Sequence, residues 1–156
     1  MRATGRRVTA HQEGWRWIGL KGHARNIPLT ADLEMHLLPN GYVGLCRLAD
    51  GVVNVCGLFR VRATLPESPH LRAEFLSGPA GSHLQRRLPE ADWDVASLCA
   101  VAGLSLRPVP AAERAEFSIG DSITMIPPVT GNGMSMAFES AEIAAEPLTE
   151  FSRGEI

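Results

Sequence analysis

The sequence predicts an α+β fold, in which an antiparallel β-meander is followed by helices, and three observations carry that prediction. Residues 15–61 alternate between apolar and polar side chains with a period of two. The tight-turn dipeptides Asn40-Gly41 and Asp50-Gly51 divide this stretch into strands. Apolar residues at helical spacing then cover residues 133–146.

Four strands are predicted within the alternating stretch. Residues 15–21 place two tryptophans on one face, and residues 33–37 give an apolar face made by Leu33, Met35 and Leu37. Residues 42–48 and 52–61 form the next two strands, each following a turn in which both dipeptide residues tolerate a positive φ. Four such strands joined in sequence form a curved meander with one apolar face and one mixed face.

Beyond residue 65 the pattern becomes helical and then mixed. Leu71, Phe75 and Leu76 have helical spacing, and a second short helix over residues 82–88 begins with Ser82 as N-cap. A buried strand is predicted over residues 96–106, followed by a proline linker at 108–110 and a short strand at 115–119. The last helix has an apolar stripe at Met134, Ala137, Phe138, Ala141, Ala144 and Ala145.

Composition excludes several classes of protein. With 45% hydrophobic residues and a net charge of -2, the chain is not intrinsically disordered. It has no apolar run of membrane-spanning length and no apolar segment typical of a signal peptide. Three cysteines do not form a disulfide framework, so we expect a cytoplasmic protein. The five histidines lack ligand spacing, and no nucleic-acid signature occurs, so neither a metal site nor nucleic-acid binding is expected.

The most specific segment is residues 117–137. A predicted strand ends at Gly120-Asp121, two prolines follow, and Gly131-Asn132-Gly133 opens the last helix. A glycine turn at a helix N-terminus lets backbone N–H groups approach an anionic ligand. The alternative is a tight loop that only caps the helix.

This segment resembles the second flavin-binding motif of FAD-dependent oxidoreductases of the para-hydroxybenzoate hydroxylase and geranylgeranyl reductase type. The resemblance implies FAD as cofactor, with Asp121 accepting hydrogen bonds from the ribityl chain and Gly120 leaving room for it. It also implies that the turn beginning at Pro128 lies along the isoalloxazine. Backbone N–H groups of Gly131, Asn132, Gly133 and Met134 would face its pyrimidine edge, where negative charge collects on reduction. Ser122 replaces the family's usual alanine.

Upstream residues extend this resemblance to the family's substrate sheet. Residues 3–7 look like the connection into that sheet, and residues 41–47 with 54–57 look like the hairpin of the reductase branch. That branch has tryptophan where Gly44 stands and Phe-Pro where Cys46-Arg47 stand, so prenyl-chain reduction is not expected. Trp15-Arg16-Trp17 is similar to the Trp-x-Trp motif of flavin-dependent halogenases, without the Ile-Pro that follows there.

The implied substrate pocket is lined from this sheet. Its candidate residues are Trp17, His36, Tyr42, Gly44, Arg47 and Asn54. The alternative is that these are ordinary solvent-facing strand residues, and alternation alone does not decide which parity faces the pocket. No catalytic residue is identified.

The family's G-x-G-x-x-G turn, which holds the FAD pyrophosphate, is absent from the sequence. The resemblance therefore implies the later half of a family member: residues 1–110 as substrate-domain sheet with a helical insertion, and residues 111–156 as the C-terminal part of the FAD-binding domain. We expect a fragment of an FAD-dependent oxidoreductase or monooxygenase acting on a small, largely apolar organic substrate, inactive alone. A separately encoded FAD-binding half is its expected partner. The alternative is a non-catalytic domain, or a relic, that binds an apolar ligand or a partner chain.

Overall fold

The computed structural model describes residues 1–5, 14–64, 74–107 and 116–155. An open antiparallel sheet of five strands, in the spatial order β2-β3-β4-β1-β5, is accompanied by a few helices, which confirms the predicted α+β fold. The strands are β1 (Trp15–Arg25), β2 (Leu33–Leu38), β3 (Gly41–Arg47), β4 (Val53–Arg62) and β5 (Asp92–Leu104), and the helices are α1 (His83–Arg87) and α2 (Gly133–Arg153).

The strand order departs from the predicted four-stranded meander. Strands β2, β3 and β4 are neighbours in sequence and in space, but β1 pairs with β4 instead of β2. The pairing of β1 with β4 runs from Trp15 opposite Arg62 to Ala24 opposite Val53. A strand of 11 residues finds a full-length partner in the ten-residue β4, whereas β2 has only six residues. The result is a Greek-key order.

The glycines of the two hairpin turns are required for different reasons. Asp50 and Gly51 both have positive φ, at 55° and 71°, as the sequence predicts. In the β2–β3 hairpin, Leu38 pairs with Gly41, so the turn residues are Pro39 and Asn40, and neither is among the described residues with positive φ. The expected conformational reason for Gly41 is therefore wrong. Gly41 is needed because a Cβ there would collide with the carbonyl oxygen of Leu58 on β4.

The hydrophobic core lies on one face of the sheet. Strands β3 and β4 supply its centre with the buried side chains Val43, Leu45, Val53, Val55, Phe59 and Val61, and β1 adds Leu20 and Ala24. Three leucines cover this face: Leu76 of the helical residues 74–77, Leu84 of α1 and Leu88, which directly follows α1. Leu98 and Trp93 of β5 lie above Gly22, where a Cβ would meet the Leu98 side chain at 2.6 Å.

Edge strand β2 has the opposite orientation to the predicted one. Leu33 and Leu37 are 58% and 81% exposed, whereas the Glu34 side chain, which shares the core face, is only 10% exposed. Arg87 of α1 explains this inversion, because its Nε lies 3.1 Å from the Glu34 carboxylate. The same carboxylate accepts hydrogen bonds from the backbone N–H and the hydroxyl of Thr30, and His36 Nε2 lies 3.4 Å from it.

Most of the other predicted elements are present with shifted ends. Ser82 caps α1, its hydroxyl accepting a hydrogen bond from the Gln85 N–H at 3.1 Å, which confirms the predicted N-cap. Strand β5 runs from Asp92 to Leu104 instead of over residues 96–106, and the predicted burial is wrong, because Leu104 alone of its residues is buried. The start of the predicted helix near Leu71 and the linker at 108–110 lie outside the described residues. Of the strand expected at 115–119, the described part contains a single parallel bridge, between Ser118 and Arg2.

The chain divides into two compact units: residues 10–103, here called the sheet unit, and residues 1–9 with 104–156, here called the terminal unit. In the terminal unit the N-terminal residues pair with the later segment. The Arg2 N–H donates to the Phe117 carbonyl at 2.8 Å, and the Ile119 N–H donates to the Arg2 carbonyl at 3.0 Å. The predicted boundary between residues 110 and 111 falls within the undescribed residues 108–115 and stays a prediction.

Helix α2 is longer than predicted. It continues through Pro147 to Arg153 and ends where Gly154 adopts a φ of 72° and its N–H reaches the last carbonyls. Of the predicted apolar stripe, Ala144 is buried, whereas Met134 and Phe138 are exposed, Phe138 by 74%; the nearby Ile143 is exposed as well. None of the described helices combines the length and the apolar character that crossing a membrane requires.

The Glu34 cluster predicts a specific pH dependence. Burial raises the pKa of Glu34. The Thr30 hydrogen bonds and the charges of Arg87 and His36 together lower it by more than burial raises it, so the net pKa is below its ordinary value of 4.5. A carboxyl whose pKa is lower in the folded state stabilises the protein above its unfolded-state pKa, and this stabilisation is lost as pH falls through the folded-state pKa.

Glu34→Gln should therefore lower the free energy of unfolding by about 1.5–3 kcal/mol at neutral pH, the scale for hydrogen bonds to a charged group. The difference from wild type should shrink as pH falls below about 4.5. Urea denaturation across pH measures it, with the exposed Glu90→Gln as control. A difference that stays constant with pH would contradict the assignment.

Candidate functional site

In the terminal unit, the Gly-Asp segment forms a single 3₁₀ turn against α2. Gly120 has a φ of 59° and its N–H donates to the Ser140 hydroxyl at 2.9 Å. A Cβ at position 120 would lie 3.1 Å from the Ala137 Cβ. Glycine is therefore required here both by its backbone conformation and by the close approach of the helix.

The residues that follow Gly120 differ in burial. Asp121 is half-buried in the first turn of the 3₁₀ helix. Ser122 is buried, and its hydroxyl lies 2.8 Å from the Arg2 carbonyl oxygen and 2.5 Å from that of Ile119. The hydroxyl that replaces the family's alanine thus ties this turn to the N-terminal residues of the same unit, a role that the sequence did not indicate.

The second predicted cofactor element is the loop that opens α2. Residues Pro128–Thr130 form another 3₁₀ turn, and Gly131 follows with a φ of 70°. Asn132 precedes the helix without a side-chain capping bond, and α2 begins at Gly133 and continues for 21 residues. The first N–H groups of a helix have no partner inside it, and they carry the positive end of its dipole.

Space around this loop is open. A Cβ at Gly131 or at Gly133 would meet no atom within 4 Å. Gly131 needs its positive φ, but Gly133 has neither a positive φ nor a crowded position among the described residues. The packing of this chain therefore leaves the glycine at 133 unexplained, and the helix N-terminus is accessible to a ligand.

In the sheet unit, the antiparallel register defines a second face, opposite the core, which we call the open face. Across β2, β3 and β4 its rows are Leu33, Cys46 and Asn54; then Met35, Gly44 and Cys56; then Leu37, Tyr42 and Leu58. Strand β1 adds one residue to each of these rows, in the same order: His23, Lys21 and Gly19. Beyond them, Trp17 lies opposite Arg60 and Trp15 opposite Arg62.

The register brings four of the six predicted substrate residues to the open face. Trp17, Tyr42, Gly44 and Asn54 share it, whereas His36 and Arg47 have the parity of the core face. Within the described residues the Asn54 Oδ1 is buried without a hydrogen-bond partner. Substrate binding by any of these residues remains a prediction.

The two residues of opposite parity have structural contacts. His36 lies beside Glu34 in the cluster under β2. Arg47 Nε is 3.3 Å from the Asp32 carboxylate, and its Nη2 donates to the Leu29 carbonyl at 3.2 Å, so Arg47 holds the segment between β1 and β2.

Titratable groups in the middle of the open face are affected by burial and by one another. Burial raises the pKa of Tyr42, and the neighbouring Cys56 raises it further. Burial also raises the pKa of the Cys56 thiol, as does Cys46, whereas Lys21 and a hydrogen bond from Asn54 lower it by less. Both groups are neutral near pH 7, so this region can donate O–H and S–H hydrogen bonds.

Two arginines at the far end of the open face were missed by the sequence analysis. The Arg62 guanidinium carbon lies 4.1 Å from the centre of a Trp15 ring, and that of Arg60 lies 4.9 Å away. These cation–π contacts make a positively charged rim beside Trp17. Cross-strand register was the missing signal, because Trp15 pairs with Arg62 and Trp17 with Arg60.

The core side of the sheet unit has a cavity of about 770 Å³ beside the β2–β3 turn. Its apolar lining includes Leu38, Phe59 and Phe75, and its polar lining includes Asn40 and Gln85. Among the described residues, no group of three or more His, Cys, Asp or Glu side chains is arranged to hold a metal ion.

Comparisons with known proteins identify a fold. No protein-family model matches the sequence, and no curated protein matches it. The structure is similar to the crystal structure of a flavoprotein/dehydrogenase from Cytophaga hutchinsonii, with a TM-score of 0.58 and 12% sequence identity. The match covers 94% of this chain and 37% of that one. The chain thus has a fold found in part of a flavoprotein.

The raised pKa of Cys56 predicts an order of thiol reactivity. The thiolate is the reactive form, so the half-buried Cys56, whose pKa is raised, should react with a disulfide reagent at neutral pH more slowly than the exposed Cys99. Because the pKa of Cys56 is raised, its labelling rate should continue to rise above the ordinary thiol pKa of 9.0. Mass spectrometry of timed labelling measures both sites in one sample, and equal rates for the two thiols would contradict the prediction.

Proposed function

We propose that this chain supplies the flavin-contacting loop and the substrate sheet of an FAD-dependent oxidoreductase or monooxygenase. Its substrate is a small, largely apolar organic molecule. When bound, flavin supplies hydride transfer or oxygen activation. The loop of the terminal unit would position the ring, and the open face of the sheet unit would position the substrate.

Gly133 is the observation that carries this proposal. It stands at the N-terminus of a 21-residue helix, beside open space, without a conformational or packing reason of its own. A flat ring that lies against the backbone would give that reason, because only glycine lets the ring approach the N–H groups of this turn. The positive end of the helix dipole favours the negative charge that develops on a reduced flavin.

The open face supports the substrate part of the proposal. Exposed Leu33, Met35 and Leu37 offer an apolar surface, and Tyr42 and Asn54 add polar groups in the neighbouring strands. An apolar surface with a few placed polar groups is typical of small-molecule sites. The orphaned Asn54 Oδ1 would accept a hydrogen bond from a donor on the substrate.

The diphosphate of FAD would be held by a partner βαβ unit that lies outside these 156 residues. The exposed apolar side chains Met134, Phe138 and Ile143 of α2 form the surface for that partner. The sequence contains no G-x-G-x-x-G turn, so this chain alone should bind FMN and FAD with similar, weak affinity. Gel filtration should remove both flavins, and a yellow protein that keeps its flavin would contradict this expectation.

Gly133→Ala separates the proposed role from folding. Because the added Cβ meets no atom of the chain, the variant should be about 0.4–1 kcal/mol more stable than wild type. It should nevertheless lose the contact with flavin. Saturation-transfer NMR at millimolar FMN detects weak binding, so transfer to the ring methyl groups is expected in wild type and not in the variant.

Thr149→Ala, on the same helix but remote from its N-terminus, is the control and should bind as wild type does. Asp121→Asn should weaken FMN binding by about 1.5–3 kcal/mol if its carboxylate accepts a ribityl hydroxyl. Wild-type protein that shows no transfer to FMN, or Gly133→Ala that binds FMN equally well, would refute the proposal.

A further inference from the structure

Three sulfur-bearing side chains lie around Gly44 on the open face. Gly44, in the middle strand β3, has Met35 directly opposite on β2 and Cys56 directly opposite on β4. Cys46 lies two residues along β3 on the same face. These three residues are here called the sulfur cluster, and because position 44 has no side chain, the Met35 sulfur lies directly over the β3 backbone.

Two of the three sulfur atoms lie close to position 44. From the position that a Cβ would take at Gly44, the Met35 Sδ is 3.1 Å away and the Cys56 Sγ is 3.8 Å away. Cys46 is the diagonal neighbour of Cys56 on the same face of the adjacent strand. All three residues are reachable: Met35 is exposed, and both cysteines are free and half-buried.

A disulfide is a poor explanation of the cysteine pair. Cys46 pairs directly with Asn54, and Cys56 with Gly44, so the two cysteines are diagonal neighbours on adjacent strands. Diagonal residues are about 7–8 Å apart, longer than the Cα separation that suits a disulfide. Both cysteines are free of disulfides, and the Cys46 thiol donates only a long hydrogen bond of 3.7 Å to the Arg47 carbonyl, which a metal ion would replace.

We propose that the sulfur cluster binds one soft monovalent metal ion, copper(I), with Met35, Cys46 and Cys56 as its three ligands. Thiolate and thioether ligands select copper(I) over the harder divalent ions. Zinc would need a fourth nitrogen, oxygen or thiolate ligand and does not favour a thioether.

Charge at the site is balanced from the neighbouring strand. On binding copper(I), the two thiols release their protons to solvent, and the resulting complex has a net charge of one negative unit. Lys21 pairs with Cys56 across β1 and β4, so its positive charge would lie beside the negatively charged complex. Lys21 is the single lysine of the chain. This site uses only residues of the sheet unit, so it stands or fails independently of the proposed flavin function.

Anaerobic titration of the full chain with copper(I), in competition with the chromogenic chelator bicinchoninate, tests the proposal. Wild type should bind one equivalent. Cys46→Ser and Cys56→Ser should each weaken binding by at least the roughly 10–100-fold that loss of a supporting group costs, and Met35→Leu should weaken it by about tenfold. Cys99→Ser and the exposed Met134→Leu are the matched controls, and both should bind as wild type does.

Gly44→Ala tests whether the metal site depends on the absence of a side chain at position 44. Its Cβ would stand 3.1 Å from the Met35 Sδ and displace it, so copper(I) binding should weaken although every ligand is still present. X-ray absorption of the wild-type complex gives a readout that needs no variant, and it should show three sulfur ligands. Nitrogen or oxygen ligands, a loss of binding in Cys99→Ser, or unchanged affinity in both Met35→Leu and Gly44→Ala would overturn the proposal.

Discussion

The antiparallel register of β3 against β4 is the constraint on which the rest of the sheet unit depends. Burial of Val43, Leu45, Val53 and Val55 on one face fixes the parity of both strands, because a slip by one residue would expose all four side chains. The same register assigns Tyr42, Gly44, Asn54 and Cys56 to the opposite face. The composition of the open face is therefore a consequence of core packing, although none of its residues belongs to that core.

Glycines act in this fold by removing side chains at specific places. Gly41 lets the β2–β3 hairpin reach the β4 backbone, and Gly57 leaves room for the Phe59 ring, 2.6 Å from where its own Cβ would be. Gly44 instead lets the Met35 sulfur lie over the β3 backbone on the open face, at the position where the resembling reductases have tryptophan. That single absence changes the face from one filled by an aromatic ring to one bordered by sulfur atoms.

Sequence patterns predicted local structure better than they predicted strand pairing and other contacts between residues distant in the chain. The strands, the Ser82 cap and the Asp50-Gly51 turn follow from period and turn chemistry within short segments. The pairing of β1 with β4 and the inward position of Glu34 depend on contacts distant in sequence, above all on Arg87, 53 residues away. For the candidate site, the sequence supplied the residues Trp17, Tyr42, Gly44 and Asn54, but their shared face required the register.

Comparison of Gly120 with Gly133 shows how structure separates a structural glycine from a candidate functional one. Both lie in the segment that resembles the flavin-binding motif, and the sequence does not show which of them is more important for a ligand. Gly120 is fully accounted for by its φ of 59° and by the Ala137 contact, so its presence would be needed without any ligand. Gly133 is not accounted for by the chain, and a helix would be more stable with alanine there. A residue that costs stability without serving the fold is the stronger indication of a ligand.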